Sequence, residues 1–483
     1  MSGAMPISEL LAGLAGSVKL PHAEVSGVAL DSRALQPGEL FLACPGARLD
    51  GRAFISDAIE RGAAAVAYEP DAFDYTAAAP GIPVPGLAQR ASEIGARFYR
   101  RPSEDLYVIG VTGTNGKTSC VHFLAQCLER LGQQPRMIGT LGSGRVARPD
   151  TGELTTPGPL QLQRLMRQFA DDGATHVAME VSSHALAQGR VAAVAFDAAV
   201  FTNLSRDHLD YHADLDEYAA AKKILFEASS LRFAVVNGDD AVGREICEQA
   251  ASPVITFGTD GALRAADVSV GENGLSLSID NPYRRLSVSA ALVGQINVAN
   301  LLAVAGVLLE MGFDPAAVED ALNHLEPVPG RMELFRAPRG GPTAVVDYAH
   351  TPDALERALH SVREHCRGEL WCVFGCGGDR DRGKRPEMGR IAEALADRVV
   401  ITNDNPRSEP PAEIAAEIAG GMNGRPRVIL DRRQAIAAAL ESAGPGDWVL
   451  IAGKGHETYQ IIGEKVSDFD DRQVVSSSLG VAA

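Results

Sequence analysis

Short apolar runs alternate with amphipathic stretches along most of this chain. From Leu106 the runs LYVIGV, RMIGT, THVAMEV, AAVFTNL and FAVVNG follow one another, separated by segments with helical spacing of apolar residues. Runs this short and uniformly apolar predict strands buried on both faces, as in a parallel sheet covered by helices. INVANLLAVAGVLLEMG predicts a long helix. The alternation then resumes with strands TAVVDYA, LWCVFGCGG, RVVIT and WVLIAGKG and helices starting at Pro352 and Lys384. Before Arg100 the pattern gives only short strands, in VSGVALDSR and GELFLACPG, and a helix at FISDAIERGA.

RRPSEDL and EPVPGR interrupt the apolar period and read as linkers. The expected fold class is α/β with three domains: a small α/β domain over 1–103, a central parallel-sheet domain over 104–330, and a doubly wound, Rossmann-like domain over 331–483. A length of 483 residues agrees, being too great for one hydrophobic core. In such sheets ligands sit beyond the carboxyl ends of the strands, and every motif below falls at such an end.

The content, 46% hydrophobic and 22% charged, is that of an ordinary globular protein. A formal net charge of −17 argues against general nucleic-acid or anionic-membrane binding. The seven cysteines form no CxxC and no zinc spacing, which suits a reducing compartment. The N-terminus lacks a basic region and no run is long enough to span a bilayer, so the expectation is a cytoplasmic protein without membrane insertion.

The strand LYVIGV runs into TGTNGKTS, residues 112–119, which opens the helix CVHFLAQCLERL. Glycines let backbone approach phosphate oxygens, and a helix N-terminus supplies unpaired N–H groups. Gly113, Thr114, Asn115, Gly116, Lys117, Thr118 and Ser119 are therefore candidate nucleotide contacts, Lys117 for the β/γ-phosphates and Thr118 for Mg²⁺. The strict GxxxxGK[ST] pattern fails, because Val111 stands at its first glycine. At the next strand ends lie Glu180, then Ser182, Ser183 and His184, and, in FTNLSRDHLDYH, Asn203, Asp207, His208 and Asp210. Glu180 and His208 are expected to flank the γ-phosphate with Thr118. Lys222 and Lys223, judged by residue pattern alone, fall on a solvated helix face.

GTNGKTS, MEVSSHAL and TNLSRDHLDYH, with DSRALQPGELFLACPGARLDG before them and VPGRME, VDYAHTPDAL, FGCGGDRDRGKRP, DNPR and AGKGHE after, resemble the Mur ligase family of ATP-dependent amide-forming enzymes over nearly the whole chain. The resemblance implies a UDP-sugar domain, a central P-loop ATPase domain and a C-terminal amino-acid domain. It implies addition of meso-2,6-diaminopimelate to UDP-N-acetylmuramoyl-L-alanyl-D-glutamate through an acyl phosphate, with ATP and Mg²⁺, in peptidoglycan precursor synthesis.

By the same resemblance Leu30, Ser32 and the loop Ala47, Arg48, Leu49 would contact the UDP-sugar, and Thr155, Thr156, Ser182, Gln188 and Arg190 the muramoyl peptide. Lys117, Glu180, His208 and Lys222 would be catalytic, and Lys222 aligns with a lysine carbamylated in the family. Thr118, Glu180, His208 and the carbamate would hold metal. Asn297, Asn300, Arg331 and Asp347 resemble further nucleotide contacts; Arg380, Asp404, Asn405, Pro406, Arg407, Gly453 and Glu457 resemble contacts to the amino acid. Ser119 replaces a threonine common in the family, and Leu154 an asparagine found in some members.

Arg407 decides between substrates. Diaminopimelate differs from lysine by one carboxylate, and a guanidinium matches a carboxylate bidentately. Arg407 thus reads as a carboxylate clamp rather than a solvated charge. The alternatives are a lysine-adding counterpart, a folylpolyglutamate synthase-like relative, a regulatory P-loop NTPase, and a non-catalytic sugar-nucleotide module. A monomer acting on small molecules is expected. His176 and His360 read as surface residues, AIAAALESAG as core packing, and Cys120 and Cys127 as buried small hydrophobes.

Overall fold

The structure is a computed structural model that describes residues 3–16, 18–46, 49–150, 152, 154–205, 211–271, 274–337 and 340–481. They cluster into two compact units, Met1–Thr256 and Phe257–Ala483.

The first unit opens with a four-stranded parallel sheet: Val28–Ala29, Leu40–Ala43, Ala65–Tyr68 and Gly81–Pro83. LFLA at Leu40–Ala43 is buried throughout, which is why it reads as an unbroken apolar run. The helix Leu87–Phe98 packs Leu87, Ala91, Ile94 and Phe98 into the same core. The segment expected as a linker is packed: Pro102 and Ser103 are buried, and Ala195 N donates to Ser103 Oγ at 3.0 Å.

The unit's larger sheet has the order Arg148–Asp150, Gly142–Arg145, Pro135–Gly139, His176–Glu180, Tyr107–Thr112, Ala198–Phe201, Phe233–Asn237, Val254–Phe257. From Pro135–Gly139 to Phe233–Asn237 the pairs are parallel; the first two pairs are antiparallel. Thr112, Glu180 and Phe201 therefore end on one edge, and that edge carries the glycine loop.

The second unit begins with a three-stranded antiparallel sheet, Arg264–Gly271, Gly274–Asp280 and Leu286–Ala290. These strands alternate small polar and apolar residues, a weaker signal than the long apolar runs, and the sequence reading passes over them. The helix Ile296–Glu310 follows, with 11 of its residues buried from Asn297 to Leu309. A six-stranded sheet then runs Glu333–Arg336, Thr343–Asp347, Trp448–Ala452, Leu370–Phe374, Arg398–Ile401, Arg427–Val428, antiparallel only at its first pair. The helix expected at Pro352 spans Pro352–Arg363, its first turn capped by Thr351 Oγ1, which accepts from Ala354 N at 3.3 Å. The helix expected at Lys384 spans Lys384–Leu395. The second presumed linker is also fixed, since a Cβ on Gly330 would lie 2.2 Å from His456 N.

Candidate functional site

The loop after Tyr107–Thr112 is pinned by the neighbouring strand end. Thr114 N donates to Asn203 O at 2.8 Å, Asn115 N to Asn203 Oδ1 at 3.0 Å, and Thr202 Oγ1 to Asn115 O at 2.6 Å. Thr114 Oγ1 accepts from Ser205 N at 3.0 Å and lies 3.1 Å from Tyr218 Oη. Gly113 adopts φ +146°, and a Cβ there would sit 1.9 Å from Thr202 Oγ1. Only glycine fits such a conformation and such an approach. Gly116, at φ +86°, precedes the helix Lys117–Arg130 and leaves its first N–H groups directed at the loop. Lys117 Nζ folds back onto Gly113 O and Thr114 O, 2.8 Å from each.

Lys222 corrects the residue-pattern reading. It is 1% exposed rather than solvated, and its Nζ donates to Gly113 O at 2.8 Å, 4.3 Å above the Tyr218 ring. Tyr218 precedes it by one helical turn on Leu215–Lys223, so the helix turns both residues inward. That helix starts at the Asp214 cap, whose Oδ1 accepts from Glu217 N at 2.8 Å. Lys223, half-buried, pairs with Glu245.

Glu180 ends the strand beside Tyr107–Thr112 and is 1% exposed. Thr140 fixes its carboxylate, donating from N to Oε1 at 2.8 Å and from Oγ1 to Oε2 at 3.1 Å. Each oxygen keeps acceptor capacity beyond those bonds, so the carboxylate is a fixed hard-oxygen donor of the type a divalent cation such as Mg²⁺ accepts. Around it lie Thr155, whose Oγ1 is 3.1 Å from Thr140 Oγ1, and Thr156, which donates to Glu180 O at 2.8 Å. Ser182 N donates to Thr156 Oγ1 at 3.0 Å, and Arg190 reaches Gln188 Oε1 and Thr156 O. Burial pulls the Arg190 guanidinium below its ordinary value, but it stays charged. Glu180, Thr155, Thr156, Ser182, Gln188 and Arg190 thus form one connected polar surface.

In the second unit the DNPR stretch is built against two other loops. Asn405, 1% exposed, donates from Nδ2 to Glu457 Oε2 at 2.8 Å and accepts at Oδ1 from Lys454 Nζ at 3.2 Å and Ile461 N at 3.0 Å. Lys454, fully buried, also donates to Glu457 Oε2 at 2.9 Å. Gly453 has no room for a side chain, since a Cβ would lie 2.6 Å from Asp404 Oδ2. Arg407 stands at φ +52°; its N–H donates to Ile461 O at 3.1 Å, its carbonyl accepts from Gly463 N at 2.7 Å, and its Nη1 donates to Gly378 O at 2.8 Å. Gly378 N donates to Asn405 O at 2.9 Å, and a Cβ on Gly378 would sit 1.8 Å from Pro406 O. Behind these loops the buried Arg385 spans Glu409 and Glu417, holding the Glu409 carboxyl down to about 2.

Arg407 and Arg380 both flank Gly377, where a Cβ would lie 3.0 Å from Arg407 Nη1 and 3.7 Å from Arg380 Cγ, and Lys454 Nζ lies 5.4 Å from the Tyr459 ring centre. Burial and the Glu457 and Asp404 carboxylates push Tyr459 up, while Arg407 and Arg380 pull it down. Glu457 Oε1 and the Asp404 carboxylate accept no hydrogen bond from the described residues, and the other guanidinium N–H groups of Arg407 donate none to them. Arg331 lies 4.4 Å over the Tyr348 ring. Asp347 accepts from Met332 N and Ala349 N, with desolvation pushing its carboxyl up. Asn297 and Asn300 are buried and bonded to each other at 3.0 Å.

Leu30 is exposed, Ser32 is buried behind it, and Leu49 is 69% exposed. Ala47, Arg48, Asp207, His208 and Asp210 lie outside the described residues. Among the described residues no group of three or more His, Cys, Asp or Glu side chains is arranged to hold a metal ion. No described helix is long and apolar enough to cross a membrane. Sequence reasoning missed Thr140, Thr202, Tyr218 and Lys454. Lys454 lay inside the quoted AGKGHE stretch, but lysines are so rarely buried that the residue drew no attention.

A phosphate-type loop at a parallel-sheet edge, beside a fixed carboxylate and a polar surface, defines an α/β nucleotide-binding enzyme. Three family models match the chain: "Mur ligase family, catalytic domain" over 24–99, "Mur ligase middle domain" over 111–308, and "Mur ligase, glutamate ligase domain" over 330–455. The chain belongs to the Mur ligase family and is a ligase. It is 46% identical over 470 residues to the UDP-N-acetylmuramoyl-L-alanyl-D-glutamate--2,6-diaminopimelate ligase of Coxiella burnetii, covering 94% of this chain and 96% of that protein. It is 47% identical over 473 residues to the protein of the same name from Alkalilimnicola ehrlichii, covering 94% and 95%. A solved structure of a ligase of that name superposes with a TM-score of 0.73 at 36% identity, covering 99% of each chain.

Proposed function

We propose that this ligase joins meso-2,6-diaminopimelate to the D-glutamate carboxylate of UDP-N-acetylmuramoyl-L-alanyl-D-glutamate, using ATP. One observation supports the choice of amino acid: Arg407 and Arg380 both flank Gly377, where a Cβ would lie 3.0 Å from Arg407 Nη1 and 3.7 Å from Arg380 Cγ, with the Asp404 carboxylate beside Gly453 and Glu457 bonded to Asn405. A diamino diacid offers two ammonium and two carboxylate groups, matching two anions and two cations in number and sign. Lysine would leave one guanidinium without a partner, a penalty that buried polar groups make large. The names of the relatives at 46–47% identity support the same reading.

The chemistry divides between the two sets of residues. Gly113–Ser119 receives the triphosphate, with Lys117 turning from its loop carbonyls towards the β/γ-phosphates. Thr118, Glu180, His208 and a carbamylated Lys222 would hold Mg²⁺, which offsets charge on the phosphoryl oxygens. Thr155, Thr156, Ser182, Gln188 and Arg190 orient the peptide so that a carboxylate oxygen faces the γ-phosphorus. The oxygen bonds to phosphorus as ADP leaves, giving an acyl phosphate. Glu457 and Asp404 hold the ammonium ends of the amino acid, and Arg407 and Arg380 its carboxylates. One of the two nitrogens gives up its ammonium proton to solvent before it attacks the acyl carbon; the tetrahedral intermediate then expels phosphate, which carries off the second proton, and leaves the amide. Proximity and orientation supply much of the rate.

Residues 1–103 would form the UDP-sugar domain, with Leu30, Ser32, Ala47, Arg48 and Leu49 on the ligand; 104–330 the nucleotide domain; and 331–483 the amino-acid domain; Asn297, Asn300, Arg331 and Asp347 would be nucleotide contacts. The enzyme works as a cytoplasmic monomer without nucleic-acid or membrane partners. The test is phosphate release with diaminopimelate or lysine, each with and without the UDP-muramoyl dipeptide. Release should require ATP, dipeptide and diaminopimelate together; release with nucleotide alone would overturn the reading in favour of a regulatory NTPase.

A further inference from the structure

The two loops of the amino-acid cluster leave strands that are not neighbours. One follows Arg398–Ile401 and the other follows Trp448–Ala452, and Leu370–Phe374 lies between them in the sheet. Sheet hydrogen bonds alone therefore cannot fix one loop relative to the other. Arg432, the first residue of the helix Arg432–Ser442, spans the gap. Its Nη1 donates to Asn403 O at 3.2 Å and its Nη2 to Ala452 O at 2.9 Å. Asn403 immediately precedes Asp404, and Ala452 immediately precedes Gly453. The same guanidinium is gripped bidentately by Asp471 of the C-terminal helix Asp471–Leu479, Nε to Oδ1 and Nη2 to Oδ2, both at 2.7 Å. Both side chains are fully buried.

We infer that Arg432 and Asp471 are a positioning unit for the amino-acid site, one guanidinium tying off the ends of both strands so that Asp404, Asn405, Gly453, Lys454 and Glu457 are held in register before substrate arrives. A lysine in place of Arg432 could not replace the geometry, because an ammonium lacks the planar fork that serves the carboxylate and both carbonyls at once. Asp471 fixes the fork's orientation and offsets its charge. The pair touches no reacting atom. Its effect is on how well the site is preassembled, and so on the affinity for the amino acid more than on nucleotide or dipeptide binding.

The inference rests on the proposed use of diaminopimelate, so wild-type phosphate release with that amino acid comes first; its absence would sink the functional reading alone. Given an active wild type, Asp471→Asn should raise KM for diaminopimelate by about tenfold or more, with KM for ATP and dipeptide held within about twofold. Arg432→Lys should behave likewise, and Asp471→Glu, which keeps the carboxylate, should recover most of the loss. A rise of all three KM values together, or an unchanged KM for diaminopimelate in a folded variant, overturns the inference. A structural check is hydrogen exchange on the ligand-free proteins: the bonded amides of Arg407, Gly453 and Glu457 should exchange faster in Asp471→Asn than in wild type, and unchanged exchange there overturns it as well.

Discussion

Lys117 and Lys222 share one acceptor: each ammonium nitrogen lies 2.8 Å from the carbonyl oxygen of Gly113. One lysine comes from the helix that the loop opens, the other from a helix more than a hundred residues later. With each nitrogen 2.8 Å from the shared oxygen, the two are at most twice that distance apart, a separation at which like charges repel by ~3 kcal/mol at an effective dielectric near 20. Bound polyphosphate relieves that repulsion, and so does turning one lysine into a carbamate. Incubation with ¹³C-bicarbonate should give the wild type a carbamate carbon resonance that is missing from Lys222→Ala. The same variant should lose roughly a hundredfold or more in kcat. Full activity in Lys222→Ala would remove this residue from the mechanism.

Gly113→Ala should weaken nucleotide binding without unfolding the protein. A β-carbon there meets the Thr202 hydroxyl that holds Asn115 O, at a φ that alanine rarely adopts. Relief must come from the loop, since Thr202 is buried beside its own strand. Fluorescent-nucleotide titration should show a loss of about fivefold to a hundredfold, as strain of ~1–3 kcal/mol is transferred to the phosphate contacts. Wild-type affinity in this variant would mean that the loop amides do not hold phosphate.

Arg407→Ala should cost diaminopimelate about 3 kcal/mol in kcat/KM, the worth of two hydrogen bonds between charged groups. Lysine, which offers no second carboxylate, should be used no worse than before. Discrimination between the two amino acids therefore collapses by roughly a hundredfold. Retained discrimination would move the specificity to Arg380.

His456 gives a pH signature. Burial, then the charges of Arg331, Arg472, His350 and Lys454, hold its imidazole down to about 3. The unfolded chain takes up this proton near 6.5, the folded one only near 3. Stability linked to the neutral ring is thus complete above about 6.5 and erodes as pH falls, by ~1.4 kcal/mol per pH unit. Thermal melts of His456→Gln and wild type should run parallel above pH 7 and diverge below 6, wild type falling faster. Parallel curves down to pH 4.5 would show that the ring is charged in the folded state.

The central strands of both large sheets were legible because burial on both faces leaves an unmistakable apolar run, as in YVIGVT and WVLIA, whereas the outer strands Gly142–Arg145, Arg148–Asp150, Val254–Phe257, Glu333–Arg336 and Arg427–Val428 were not. The antiparallel strands of Arg264–Ala290 were not, because half their residues face solvent and read as loop. Within the site, the glycine loop announced itself through residues that only a close approach to backbone requires. Lys222 did not: the helix LDEYAAAKK carries charges on several faces, and only its tertiary packing turns Lys222 inward and leaves Lys223 half-buried. Arg432 and Asp471 were equally silent, being charged residues near helix starts whose partners lie 39 positions apart.

Gly378 touches Pro406 so closely that neither chain segment can shift alone, and Arg385 clamps the rear of both. Removing Arg407 alone can erase discrimination, but building selectivity for a different amino acid therefore needs more than a new side chain at 407. The glycine-rich turn and the proline-bearing turn would have to be exchanged as a matched set, and chimeras carrying one without the other should be poor catalysts for every amino acid.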